Sequence, residues 1–145
     1  MPRPESTDVS SNISLARVLL ADDDPASRLT LQTVLEAGGY AVDSAASAAE
    51  AVGKLDEQEY ELVLTDLHME SPESGLRVLA HARMMDYKPA TALLTTYLRK
   101  RPKGSKQAML IEPENVPELL DKVADLISER AQRRVHRSLA LRQAG

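Results

Sequence analysis

Three apolar runs along the chain end in polar side chains. Val18-Leu19-Leu20-Ala21 stops at Asp22, Asp23 and Asp24; Leu62-Val63-Leu64-Thr65 stops at Asp66; Ala90 to Leu94 stops at Thr95 and Thr96. Unbroken rather than alternating runs of this length suit strands in the middle of a parallel sheet, where helices cover both faces. Their terminal polar residues would then gather at the carboxyl edge, the place where open α/β sheets collect ligands.

The intervening segments have helical spacing. Asp24-Pro25 has the form of an N-cap with proline at the first helical position. Leu31, Val34 and Leu35 supply the apolar stripe of that helix, and Gly38-Gly39 ends it. Tyr40-Ala41-Val42 starts a short second strand, and Ser47-Ala48-Ala49-Glu50 has capping-box spacing for a second helix with Ala51, Val52 and Leu55 inward. A third helix is expected from near Gly75, with Leu76, Leu79 and Ala80 inward, fading by Tyr87-Lys88-Pro89. Pro102 and Gly104 limit any helix within 97–106 to about one turn. Ala108 to Ile111 predicts a fifth strand, and Asn115 and Pro117 open a last helix. Val116, Leu119, Leu120, Val123, Leu126 and Ile127 form its inner face, and the stripe continues weakly through Ala131, Val135 and Leu139. Five strands alternating with helices predict an α/β fold: a flavodoxin-like five-stranded parallel sheet in the order 2-1-3-4-5, with helices on both faces and the fourth helix shortened or absent.

Composition narrows this further. The 145 residues fit one domain with a real core, and because they include no Phe or Trp and only four Tyr, that core is aliphatic. The absence of cysteine excludes a disulfide framework, a thiol nucleophile and a cysteine-based metal site. No apolar stretch approaches the ~20 residues of a membrane span, and the first residues lack the apolar core of a signal peptide, so the expectation is a soluble, cytoplasmic protein. The division is a disordered segment over 1–14, a domain over 15–129 and a basic helical extension over 130–145. All 22 acids lie at or before Glu129 together with 13 of the 18 Lys and Arg, which leaves that part at −9; Arg130, Arg133, Arg134, Arg137 and Arg142 then make a tail of +5. Such a tail can touch an acidic partner or nucleic acid, but a helix end complementing its own dipole accounts for it without either.

Asp22, Asp23 and Asp66 should converge at the ends of adjacent strands. Three carboxylates that close either retain a proton or share a hard cation, and oxygen-only donors favour Mg²⁺. A carboxylate beside such a cation can attack a phosphoryl group, and Thr95, one strand further on, can offer that group a hydroxyl.

With these residues in place the sequence resembles the receiver domain of two-component response regulators. The likeness runs through Val18 to Pro25, Ala37 to Tyr40, Ala49 to Val52, Leu62 to Met69, Gly75-Leu76, Leu94 to Tyr97 and Ile111-Glu112-Pro113, and it covers roughly residues 16 to 128. It implies that Asp66 accepts a phosphoryl group from a histidine kinase or phosphotransfer protein. Asp22, Asp23, Asp66 and the backbone carbonyl of His68 would hold Mg²⁺, and Thr95 would be the switch hydroxyl. The expected protein is then a single-domain response regulator, a phosphorylation-controlled binding module rather than an enzyme, with a downstream protein as partner and a homodimer allowed.

Several positions depart from that pattern. Glu112 stands where the family places a lysine, Glu70 where it places a proline, and Thr96 where a small residue follows the switch threonine. The basic segment 99–106 replaces most of the fourth helix. These departures keep two alternatives open: a pseudo-receiver that binds its partner without phosphorylation, and a small Mg²⁺-dependent phosphohydrolase. His81 and His136 read as surface residues, and His68, two positions after Asp66, either affects phosphoryl lifetime or points into solvent.

Overall fold

The computed structural model describes residues 15–67, 69–94, 109–111 and 115–144. Along the chain run β1 (Arg17–Ala21), α1 (Pro25–Ala37), β2 (Ala41–Ala45), α2 (Ala48–Glu57), β3 (Leu62–Asp66), α3 (Ser74–Arg83), β4 (Ala90–Leu94), β5 (Met109–Ile111) and α4 (Val116–Ala144). The first four strands are parallel in the order β2-β1-β3-β4, and the three-residue β5 pairs in the same sense along the outer side of β4. The fourth helical slot falls within 95–108, outside the described residues.

Alternate residues of each strand serve opposite faces of the sheet, and both faces are covered. Val18, Leu20, Leu62, Leu64, Ala90 and Ala92 pack with Leu31 and Leu35 of α1 and Leu119 and Val123 of α4. Leu19, Ala21 and Val63 pack on the other side with Ala48, Ala51 and Leu55 of α2 and Val78 and Ala82 of α3. This two-sided burial explains why β1, β3 and β4 are continuous apolar runs.

Local chemistry sets the ends of the elements. The Asp24 carboxylate accepts from the Ser27 amide at 3.0 Å, capping α1 above Pro25. Ser47 Oγ accepts from the Glu50 amide at 3.1 Å, while the Glu50 carboxylate reaches back to the Ala46 amide at 2.8 Å. Gly39, at φ +100°, turns the chain from α1 into β2.

β2 begins at Ala41 and runs on through Asp43, Ser44 and Ala45, because this edge strand faces solvent in part and tolerates polar residues while pairing with all of β1. Two sequence expectations need correction. The inner face of α3 is Gly75, Val78, Leu79 and Ala82, and Ala80 is exposed. Val116 is 39% exposed, since α4 meets the sheet only from Leu119 onward. His81 stands at the surface, where its Nε2 lies 2.7 Å from the Asp56 carboxylate and joins α3 to α2.

Candidate functional site

β1 and β3 are neighbours at the centre of the sheet, and the chain leaves β1 for β2 on one side before returning to β3 on the other. This is the topological switch point, where a crevice opens beyond the strand ends. Asp22 follows the last residue of β1, and Asp66 ends β3. Each of Asp22, Asp23 and Asp66 offers a carboxylate oxygen, and these atoms all lie within 4.8 Å of one another.

Asp22 is 3% exposed and firmly held. Its amide donates to the Ala45 carbonyl at 3.0 Å, its carbonyl accepts from Arg28 Nη1 at 2.9 Å, and its Oδ1 accepts from the Asp24 amide at 3.0 Å. Asp23 is exposed and Asp66 is half-buried. The cluster therefore has a fixed floor and an open mouth. Three oxygens this close, with no sulfur or nitrogen donor among them, fit a hard divalent cation reached from solvent.

The loop after Asp66 is braced from two directions. Gly75 lies so close under the strand end that a Cβ there would overlap the Asp66 carbonyl oxygen and stand 2.9 Å from the Leu67 carbonyl oxygen. The buried Ser74 hydroxyl accepts from the Ser71 amide at 2.8 Å. From the other side, the two Glu70 carboxylate oxygens lie 3.1 and 3.3 Å from the Ala48 amide, at the N-terminus of α2. A carboxylate is well placed at that end of the helix dipole. Glu70 was legible only as a departure from a proline, because its partner lies 22 residues away and no periodicity links them. Arg28 was likewise invisible as a support for Asp22. The backbone at His68, Thr95 and Glu112 lie outside the described residues.

The family model of the response regulator receiver domain matches residues 18–109. The chain belongs to the response regulator receiver domain family. Among curated proteins, this receiver is 33% identical over 119 residues to the sensory/regulatory protein RpfC of Xanthomonas campestris, a match spanning 76% of this chain and 16% of that protein. The receiver thus corresponds to about a sixth of the length of that relative. Among solved structures, the response regulator protein TrrA of Thermotoga maritima, crystallised in complex with Mg²⁺ and BeF, is 32% identical, with a TM-score of 0.68 over 77% of this chain and 99% of that one. A CheY-like receiver domain protein from Methanospirillum hungatei is 26% identical, with a TM-score of 0.72 over 83% of this chain and 99% of that one. The family is a signalling domain. Among the described residues of this receiver no helix is long and apolar enough to cross a membrane.

Proposed function

We propose that Asp66 accepts a phosphoryl group from a histidine kinase or phosphotransfer protein, and that the modified receiver signals through a change in what it binds. The observation that carries this reading is the convergence of Asp22, Asp23 and Asp66 to within 4.8 Å in a chain of this family. An Asp66 carboxylate oxygen attacks phosphorus; the new O–P bond forms as the P–N bond to the donor imidazole breaks, and the electron pair stays on nitrogen. Asp22 and Asp23, with Asp66 itself, are the residues that would hold Mg²⁺, the ion present in the Thermotoga relative. When bound, Mg²⁺ would supply positive charge to the oxygens of the group in transfer. Asp22 contributes a carboxylate already oriented by the Asp24 amide, and Arg28 holds its backbone in place. The His68 carbonyl is proposed as a further ligand, Thr95 as the switch hydroxyl, and Glu112 as the residue in place of the usual lysine.

Intact-mass and peptide analysis after treatment with acetyl phosphate and Mg²⁺ tests the reading. One phosphoryl group on Asp66, absent in Asp66→Asn and absent when the metal is chelated, is the expected result. A chain that remains unmodified under these conditions and with every histidine kinase of its own host would instead be a phosphorylation-independent binding module.

A further inference from the structure

A second concave site lies at the opposite edge of the sheet, where the chain enters β4 and α4 passes beneath it. Arg130, Arg133, Arg134 and Arg137 stand at i, i+3, i+4 and i+7 of α4 and therefore share one face of the helix. Together with Lys88 they line a cavity of about 390 Å³, within the range of small-molecule pockets. Arg130 is 8% exposed and is held by neutral groups: its Nε donates to the Lys88 carbonyl at 3.0 Å and its Nη2 to the Tyr87 carbonyl at 2.7 Å. Arg134 Nη1 reaches the Tyr87 carbonyl at 3.4 Å. Among the described residues, none of Arg130, Arg133, Arg134 and Arg137 forms an ion pair with a carboxylate. Burial first, then Arg134, pushes Arg130 below its ordinary pKa, while Glu61 and Glu59 act in the other direction. An anion entering the cavity would add the negative charge that these four arginines outnumber and meet planar donors suited to bidentate contact with phosphate.

We infer that this arginine cavity is a binding site for a compact phosphorylated ligand of the nucleotide class. Glu59 and Asp86 also line it, and their carboxylates can accept from the hydroxyl or amino groups that a ribose or base carries beside its phosphates. The same acids argue against an extended polyanion. Asp56 and Glu57 stand with Glu59 and Asp86 around an adjoining hollow, so a nucleic-acid backbone or acidic peptide leaving the cavity would run along negative charge, whereas a compact ligand would not. The site shares no residue with the acid cluster and is independent of the phosphoryl chemistry proposed above.

Calorimetric titration of the full chain with ATP and with pyrophosphate, in low-salt buffer containing EDTA, tests the inference. The chelator keeps metal–phosphate complexes away from the acid cluster. Saturable binding of ATP is expected, displaced by pyrophosphate and weakened as salt is raised. Arg133→Gln with Arg137→Gln should lower the affinity about tenfold or more. Both side chains are exposed, so the fold should survive, and each single substitution should give a smaller loss in the same direction. Several results would overturn the inference: no saturation by either probe at millimolar concentration, wild-type affinity in all three variants, or binding of adenosine as tight as that of ATP. Tighter binding of a short oligonucleotide or a glutamate-rich peptide than of ATP, with the same arginine dependence, would overturn it in favour of a macromolecular partner.

Discussion

Tyr60 is 1% exposed, and its hydroxyl donates to the Asp43 carboxylate at 2.8 Å; Arg17 meets the same carboxylate oxygen at 3.2 Å. Burial first, then Asp43, pushes the phenol well above its ordinary value. Tyr87 is pushed up to about 12, by burial first and then by Glu59 and Asp56. An unfolded tyrosine ionises near 10.0. From there upward the native state keeps protons that the unfolded chain has lost, so stability present in full below that pH falls as pH rises towards 12 and beyond. Urea midpoints at pH 8 and pH 11 should show this fall, and Tyr60→Phe should flatten it. The same substitution should cost about 1 kcal/mol at pH 8 for the lost hydrogen bond. A second prediction at this scale concerns Glu112. On the proposed reading its negative charge, in place of the family's lysine, would oppose an incoming phosphoryl group, since like charges at ~4 Å repel by a few kcal/mol in a partly screened site. Glu112→Lys should therefore raise the yield of modified Asp66 from acetyl phosphate severalfold, read by intact mass. Equal and rapid modification of both proteins would make Glu112 a neutral replacement.

At the scale of elements, α3 depends on a position that only glycine can fill. Gly75→Ala places a methyl group against the Asp66 and Leu67 carbonyl oxygens. The helix or the end of β3 has to move, at a cost of about 1–3 kcal/mol as in other overpacked cores, so chemical denaturation should show a clear loss and Asp66 modification should slow. The elements themselves were largely legible because their causes are local. Unbroken apolar runs marked β1, β3 and β4, and cap residues marked the starts of α1 and α2 within a residue. The sequence marks where β2 begins but not how far it runs, because Asp43 and Ser44 meet Arg17, Tyr60 and β1 only in the folded sheet. The three-acid cluster could be read from strand endings alone. Glu70 on Ala48 and Arg130 on Tyr87 and Lys88 could not, because those partners are brought together by the turns of the sheet and leave no periodic trace.

For the whole molecule, a cation held by the acid cluster would couple binding to folding. An unfolded chain has no preformed site, so Mg²⁺ taken up only by the native state would stabilise it by mass action, about 1.4 kcal/mol at ten times the dissociation constant. The melting temperature should rise with Mg²⁺, return with EDTA, and respond far less in Asp22→Asn. A shift of equal size in that variant would place the ion elsewhere. Arg130→Ala should lower stability without Mg²⁺ as well, by about 1–3 kcal/mol, since the Lys88 carbonyl loses its donor and the Tyr87 carbonyl keeps only the longer contact from Arg134. Beyond Arg130 the last helix continues for 14 residues to Ala144, about 21 Å at the usual rise, and Val135, Leu139 and Leu141 on it are 58%, 48% and 68% exposed. Its apolar contacts with the core come before Arg130, through Leu119, Leu120, Val123, Leu126 and Ile127, and past that point Arg134 still reaches the Tyr87 carbonyl. A tilt of about 10° about Arg130 would carry Ala144 through nearly 4 Å over that length, so a displacement too small to register among the strands would arrive there as a movement about the width of a side chain.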